Sequence, residues 1–207
     1  MHVGKWTAQK DVRVILDSLP PKPPEFKRYA GLDFGESCGL AICDLQPGQL
    51  IKDVTVYMEL LDLTIGTFDS QAVRFLRLEG ILDALQLDRL GFEDVKYTPS
   101  QDMFTGKVSV AQVLQRSARP TEFFGGLKYF VQAWAERNGI PAKGWGIGEI
   151  KKYGTGKGNA GKADMIKACN KLLGTNFDSE DDKSGVDDLA DAGFILCMTA
   201  EHFNQVK

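Results

Sequence analysis

The sequence predicts a single α/β domain built on a five-stranded mixed sheet, in which a three-strand antiparallel meander is extended by parallel strands and flanked by helices. Three observations predict this. Three strand-like runs follow one another with only short turns between them, which is typical of a meander. Helix-like and strand-like segments then alternate, which is typical of parallel strands joined by helical crossovers. The length of 207 residues, 43% of them hydrophobic, suits one domain with a full core.

The first two predicted strands enclose a glycine turn. Residues 29–33 form an apolar run that ends on Asp33, the chain turns through Gly35, and a second apolar run returns over residues 39–44. One carboxylate therefore lies at the edge of the sheet. Because Asp beside Gly is commonly only a turn residue, this stretch alone leaves Asp33 evenly balanced between a turn role and a role in a site.

The remaining elements alternate between helices and strands. In chain order they are a third strand over 49–58, a helix over 70–87, a fourth strand over 89–95, a long loop over 96–119, a helix over 120–137, a fifth strand over 143–147, a helical turn over 149–152, a glycine-rich basic loop over 154–161, a helix over 162–173 and a last helix over 184–203. Ser184 and Asp187 fit a capping box for this last helix. Residues 1–27 include Leu-Pro-Pro-Lys-Pro-Pro, which cannot lie inside a sheet, so we predict a Pro-rich arm over 1–27 and the folded domain over 28–207.

Composition excludes several classes of protein. The only histidines are His2 and His202, which gives poor support to Ser-His-Asp catalysis or to histidine-bound zinc. The four cysteines form no C-x-x-C pair and lie in apolar surroundings, which favours a reducing compartment: Cys38, Cys43, Cys169 and Cys197. No apolar run is long enough for a membrane span, and the amino terminus lacks a signal pattern. We expect a soluble cytoplasmic protein without a membrane partner.

The charges are unevenly distributed although the net charge is only −3. Residues 143–171 contain seven lysines against Glu149 and Asp164, a local balance of +5, and residues 178–191 contain seven acids against Lys183, a local balance of −6. This division predicts a basic face beside an acidic site.

Further carboxylates are placed to join Asp33. Glu93 lies near the carboxyl end of the predicted fourth strand, and Asp188 and Asp191 are three residues apart on one face of the last helix. Acids favour the amino end of a helix in any case, which accounts for Asp187 but poorly for Asp191 in the second turn. We therefore favour a metal site that includes Asp188 and Asp191, with Asp187 as the alternative to Asp188.

These four carboxylates predict an all-oxygen metal site. Hard cations such as Mg²⁺ or Mn²⁺ prefer oxygen ligands, whereas zinc prefers nitrogen and sulfur. Two such ions roughly 3.5 to 4 Å apart could hold a phosphodiester, with one activating water and the other stabilising the leaving oxygen. The site that Asp33, Glu93, Asp188 and Asp191 would form predicts nuclease chemistry.

Four blocks of the sequence together resemble the motif blocks of RuvC-type Holliday junction resolvases. The blocks are Gly-Leu-Asp33-Phe-Gly with its glycine-led return strand, Phe-Glu93, the segment Ile-Lys-Lys-Tyr-Gly-Thr-Gly-Lys-Gly-Asn-Ala-Gly-Lys-Ala-Asp-Met over 150–165, and Asp188-Leu-Ala-Asp191-Ala. Their order and spacing agree with the family from about residue 28 onwards. The third block is the most specific, because Lys151, Gly156 and Lys162 have the family's spacing of five and eleven residues.

The resemblance implies an RNase H-like fold and a homodimer that cleaves four-way junctions with two Mg²⁺ ions per active site, for which Mn²⁺ would substitute. It implies that the matching carboxylates bind the metals and that Lys151 and Lys162 hold DNA phosphates, Lys162 also acting in catalysis. We add four further residues to the expected DNA contacts: Lys96, Tyr97, Lys152 and Lys157. The helix over 121–137 occupies the position of the family's dimer contact.

The sequence also departs from the family. Phe34 stands where bacterial members have proline, a variation that resembles viral or otherwise diverged members, and Lys96 replaces the aromatic residue that follows the catalytic glutamate by three, with Tyr97 adjacent. The metal-binding residues are unaffected by these departures, so the predicted function is resolution of Holliday junctions by symmetric nicking of opposing strands. The alternatives are a broader branched-DNA or flap nuclease of the same fold and, in another class, a junction-binding structural protein without activity.

Overall fold

The five strands of the sheet follow the predicted plan. A computed structural model of the protein describes residues 19–35, 37–67, 69–95, 110–178 and 185–204. The strands are β1 (Lys27–Asp33), β2 (Ser37–Leu45), β3 (Tyr57–Asp62), β4 (Arg89–Glu93) and β5 (Ala142–Trp145), in the spatial order β3-β2-β1-β4-β5. Pairs β1–β2 and β2–β3 are antiparallel, and pairs β1–β4 and β4–β5 are parallel. The predicted mixed sheet with its meander is confirmed.

Helices cover both faces of this sheet. They are α1 (Ala72–Ala84), α2 (Val110–Arg137), α3 (Ile147–Thr155), α4 (Lys162–Leu173) and α5 (Val186–Phe203). One core lies between the sheet and helices α1 and α2, and includes Leu32, Leu78 and Leu127. The other lies between the sheet and helices α3, α4 and α5, and includes Ile150, Ile166 and Phe194. Among the described residues, no helix is both long enough and apolar enough to cross a membrane.

Two predicted boundaries are wrong. The third strand is β3 over 57–62 and not 49–58, because Ile51–Asp53 form a 3-10 turn from which Ile51 and Val54 pack against the core. Ile51 and Val54 are thus partly buried although they lie in a connection between strands, and periodicity alone cannot distinguish such a segment from a strand. Helix α2 starts at Val110, although Pro120 is typical of a helix start, so the last ten residues of the predicted 96–119 loop are helical. Residues 96–109 lie outside the described part of the chain.

The start of α5 differs in one detail from the predicted capping box. Ser184 lies outside the described residues, and the residue that precedes the first helical residue is Gly185, with a backbone φ of +69°. Glycine adopts this left-handed conformation without steric cost. The N-terminal N–H groups of α5 receive no side-chain cap from Gly185.

The Pro-rich segment next to the sheet contacts the domain. The carbonyl oxygen of Pro20 accepts a hydrogen bond from Nη2 of Arg28 at 2.8 Å, and Lys22 forms an ion pair with Asp88 at 2.6 Å. Arg28 is itself buried and donates two hydrogen bonds to the carboxylate of Asp44. Residues 19–26 therefore pack against the sheet edge on which β1 begins, and residues 1–18 lie outside the described residues.

Helix α5 crosses the sheet over three glycines that allow a very close approach. A Cβ atom added to Gly39 of β2 would lie 2.1 Å from the backbone oxygen of Asp188, and one added to Gly31 of β1 would lie 2.4 Å from the oxygen of Ala192. A Cβ atom on Gly91 of β4 would lie 1.9 Å from Oγ1 of Thr199. Such distances are impossible for real side chains, so the three glycines form a seat for α5. We call Gly39, Gly31 and Gly91 the glycine seat.

Candidate active site

Asp33 and Glu93 lie at the same edge of the sheet. Asp33 is the last residue of β1, and Glu93 is the last residue of β4, its parallel neighbour. The register pairs Leu32 with Phe92, and each acid comes one residue later in its strand. The two carboxylates therefore lie side by side at the carboxyl ends of adjacent strands. Parallel strands thus bring together two acids that are 60 positions apart in the sequence.

Helix α5 adds the acids of its first two turns to the same place. Its close approach at Gly39 positions the backbone of Asp188 over β2, where Gly39 pairs with Asp33 across the β1–β2 ladder. Asp191 follows one turn later on the same face of the helix. The glycine seat therefore sets the distance between the helical acids and the strand acids.

One cavity of about 300 Å³ unites the predicted site residues. Its lining includes all four predicted metal ligands together with Asp187, Lys151 and Lys162. Its apolar wall, which no pattern in the sequence predicts, consists of Phe34, Val95, Phe124, Ile147 and Met165. Phe34 is only 5% exposed and stacks on Phe92 with ring centroids 5.9 Å apart. This packing accounts for an aromatic residue in the turn after Asp33.

Burial and mutual repulsion dominate the electrostatics of the strand acids. Burial raises the pKa of Asp33 well above its usual range, and the neighbouring charges of Glu93, Asp191 and Asp188 raise it further. The pKa of Glu93 is raised by burial as well, while its hydrogen bond with Asp33 and the charge of Lys151 oppose the increase. When Asp33 is protonated, its hydroxyl donates a hydrogen bond to the carboxylate of Glu93, and the charge repulsion between the two acids is relieved.

The helical acids are perturbed in the same direction. Burial raises the pKa of Asp188 to about 6, with a further increase from Asp187 and a decrease from Lys162. Burial raises the pKa of Asp191 to about 7, and the charge of Glu93 adds to this while that of Lys151 opposes it. Oδ1 of Asp191 is buried without a hydrogen-bond partner. A buried carboxylate oxygen without a partner costs free energy unless a cation or a proton compensates it.

These residues match a divalent cation in chemical type and in charge. Four carboxylates converge, burial raises the pKa of each, and one buried oxygen of Asp191 has no hydrogen-bond partner. Oxygen-only ligands suit Mg²⁺ or Mn²⁺. Among the described residues, however, no group of three or more His, Cys, Asp and Glu side chains is arranged to hold a metal ion as it stands. The match is one of residue type, burial and charge.

The predicted basic residues divide into two groups. Lys151 and Lys162 line the cavity, whereas Lys152 and Lys157 are exposed outside it, on α3 and just after it. Lys162 forms an ion pair with Asp187, with Nζ and Oδ2 2.5 Å apart. Lys96 and Tyr97 lie outside the described residues.

A signal in the sequence could have revealed the seat of α5. Glycine stands two residues before each strand acid, as Gly31-Leu-Asp33 and Gly91-Phe-Glu93. Residues two apart in a strand point to the same face, so these glycines mark the face that carries the carboxylates. A helix packed tightly on that face reaches the acids.

The raised pKa values predict how the stability of the metal-free protein depends on pH. Unfolded Asp titrates near 3.9, whereas the folded pKa values of Asp188 and Asp191 are about 6 and about 7. Between these limits the folded state binds more protons than the unfolded state, so the free energy of unfolding decreases as pH rises from about 4 to about 7. Denaturant titrations in EDTA at pH 5 and pH 8 should therefore show lower stability at pH 8.

Glu59 is the control for this measurement. Its pKa is raised to about 7 by burial alone, and it lies on β3 away from the cavity, so Glu59→Gln removes its share of the pH dependence. The pH dependence of the free energy of unfolding that remains should be smaller in Asp191→Asn. A Mg²⁺ ion bound by these carboxylates would stabilise the protein more at pH 8 than at pH 5, because protons compete with the cation at low pH. Stability that rises from pH 5 to pH 8 in EDTA would contradict this account.

Comparisons with known proteins identify the fold. No protein-family model and no curated protein matches the sequence. Among solved structures, RuvC of T. thermophilus in complex with a Holliday junction substrate is similar, with a TM-score of 0.58 and 16% identity over 86% of this chain and 95% of that chain. Another Thermus thermophilus RuvC structure gives a TM-score of 0.54 and 16% identity over 87% of this chain and 98% of that chain. The chain has the RNase H-like fold of these structures, as predicted.

Proposed function

We propose that this protein is a diverged RuvC-type endodeoxyribonuclease that resolves Holliday junctions by hydrolysing DNA phosphodiesters. The observation that supports this most directly is the convergence of Asp33, Glu93, Asp188 and Asp191 on one cavity that also contains two lysines. The likeness to a RuvC structure bound to a Holliday junction substrate supports the choice of branched DNA. At 16% identity that likeness concerns the fold, so the function rests on the residues of the cavity.

In this proposal the acids and the lysines have separate roles. The four carboxylates would hold Mg²⁺, which activates water and stabilises the leaving oxygen when two ions are bound. Lys151 lies close enough to oppose the rise in the pKa values of Glu93 and Asp191, and so favours the ionised forms that a cation binds. Lys162, at the mouth of the cavity, is placed to contact the phosphate. Lys152 and Lys157 would extend the contact along the DNA backbone.

Symmetric cleavage requires two active sites, and the resemblance implies a dimer contact on the helix over 121–137, which is part of α2. Tyr129 of α2 is 68% exposed, and Leu76 of the adjacent helix α1 is 65% exposed. Single exposed apolar side chains are common on proteins, so these two residues only mark a candidate surface, and the dimer itself rests on the resemblance. We propose a homodimer that uses this surface.

The test of the function is a symmetric four-way junction incubated with the protein and Mg²⁺, with the products mapped on all four strands. We expect paired nicks on opposing strands and no cleavage in EDTA. A flap and a plain duplex are tested at the same ionic strength, because salt strongly changes DNA affinity. Equal cleavage of the flap would indicate a broader branched-DNA nuclease. Tight junction binding without cleavage at any Mg²⁺ concentration would indicate a structural protein.

A further inference from the structure

Lys162 is held across the mouth of the cavity by an acid that has no place in the proposed set of four ligands. Lys162 is the first residue of α4 and Asp187 is the second residue of α5, and Nζ of the lysine lies 2.5 Å from Oδ2 of the aspartate. The pair therefore joins the starts of two helices at the point where DNA would meet the carboxylates.

The two partners differ in exposure. The side chain of Lys162 is 65% exposed, whereas that of Asp187 is only 17% exposed. The acid is thus fixed in the wall, while the lysine extends from solvent onto it. An ion pair with so exposed a partner contributes little stability, so another anion displaces it easily.

A DNA phosphate is such an anion. Lysine binds phosphate as a flexible point charge with three donors and can turn from a carboxylate to a phosphate without any backbone movement. Asp187 also borders Asp188, and its charge raises the pKa of that acid while Lys162 lowers it. The electrostatic coupling places all three groups within one small region of the cavity.

We propose that Asp187 is a positioning residue that competes with DNA for Lys162. In the DNA-free protein it holds the lysine across the cavity, and on DNA binding it yields the lysine to a strand phosphate. This inference rests on the proposed function and specifies how one of its DNA contacts is controlled. Asp187 thereby weakens the affinity for DNA, because its ion pair with Lys162 has to break before the lysine can bind a phosphate.

A double-mutant cycle tests this directly. The dissociation constant for a four-way junction is measured in EDTA, at one ionic strength, for the wild type, Asp187→Asn, Lys162→Met and the double variant. We expect Asp187→Asn to tighten binding by about 1.5-fold to fivefold, the range that corresponds to an exposed ion pair. In the Lys162→Met background the same change should have no effect, because no lysine remains to be released.

Two conservative variants and one matched control complete the design. Asp187→Glu keeps a carboxylate and should bind DNA as the wild type does, and in Lys162→Arg, which keeps the cation, Asp187→Asn should still tighten binding. Asp164→Asn removes an exposed acid from the first turn of α4 and should not be coupled to Lys162. Denaturation midpoints show that every variant is folded.

The outcomes separate this inference from the proposed function. If Asp187→Asn tightens DNA binding equally in the wild-type and Lys162→Met backgrounds, Asp187 simply repels DNA. If it does not tighten binding in the wild-type background, Asp187 does not compete with DNA for Lys162. Either result overturns the inference. If Asp187→Asn tightens binding only when Lys162 is present, in a protein that never cleaves DNA, the inference is supported and the proposed nuclease function is overturned. A wild-type protein that binds no DNA would overturn both.

Discussion

Asp33→Asn should abolish cleavage of the junction while it leaves junction binding within a few-fold of the wild type. Asp33 is only 8% exposed, and three other carboxylates contribute to its raised pKa, so it lies at the centre of the acid cluster. Asparagine has nearly the same shape but lacks the charge that a cation needs. Metal ions contribute several kcal/mol to such reactions, so we expect a rate loss of roughly three orders of magnitude. Binding depends mainly on phosphate contacts and should remain.

The same substitution should stabilise the metal-free protein. At pH 7 the wild type has to accommodate a proton or a repelled charge on Asp33, whereas the neutral amide of asparagine has neither cost. The denaturation midpoint in EDTA should rise, and the stabilisation by Mg²⁺ should be smaller than in the wild type. Loss of activity together with a gain in stability is the pattern expected of a functional site.

Asp53→Asn is the matched control. Asp53 is exposed at the end of the 3-10 turn, and its replacement should change neither cleavage nor stability measurably. Cleavage rates are compared at saturating junction so that differences in affinity do not enter. An Asp33→Asn protein that cleaves at the wild-type rate would exclude the proposed metal site.

Gly39→Ala should destabilise the protein and displace Asp188. The new Cβ atom would lie 2.1 Å from the backbone oxygen and 2.6 Å from the backbone carbon of Asp188, and no change of rotamer relieves a clash with backbone. Helix α5 has to move away from β2. Such overpacking typically costs about 1 to 3 kcal/mol of stability. Because the displaced residue is a proposed ligand, cleavage should fall more than the loss of stability alone explains.

Two other glycines serve as comparisons for Gly39→Ala. Gly91→Ala clashes mainly with the side chains of Thr199 and Ile195, far along α5 from Asp188, and should cost stability with a smaller effect on cleavage. A Cβ atom on Gly80, inside α1, would meet nothing within 4 Å. Gly80→Ala should therefore raise stability by about 0.5 to 1 kcal/mol. Urea denaturation and Mg²⁺ binding by calorimetry measure both effects, and wild-type stability in Gly39→Ala would contradict the glycine seat.

Much of the fold could be predicted from local sequence patterns. Strands β1, β2 and β4 and helix α4 were predicted with nearly the observed bounds, since each contains a regular apolar pattern bounded by glycine or charge. The pattern predicts the third strand too early in the chain because the β-branched segment near Ile51 includes a 3-10 turn whose apolar side chains are only partly buried. The start of α2 was misplaced because Pro120, typical of a first turn, lies within the helix.

Local patterns in the sequence predict the chemical groups of the site: four acids of the type that suits a hard cation, and lysines near them. The same patterns predict the strand ends at Asp33 and Glu93, because strand patterns are local. How these groups meet depends on the packing of one element against another. The register of β1 with β4 aligns the strand acids, and the glycine seat brings α5 down onto them. The ion pair of Asp187 with Lys162 likewise joins two helices through packing. Such contacts depend on distances between elements, and no periodicity within one element encodes them.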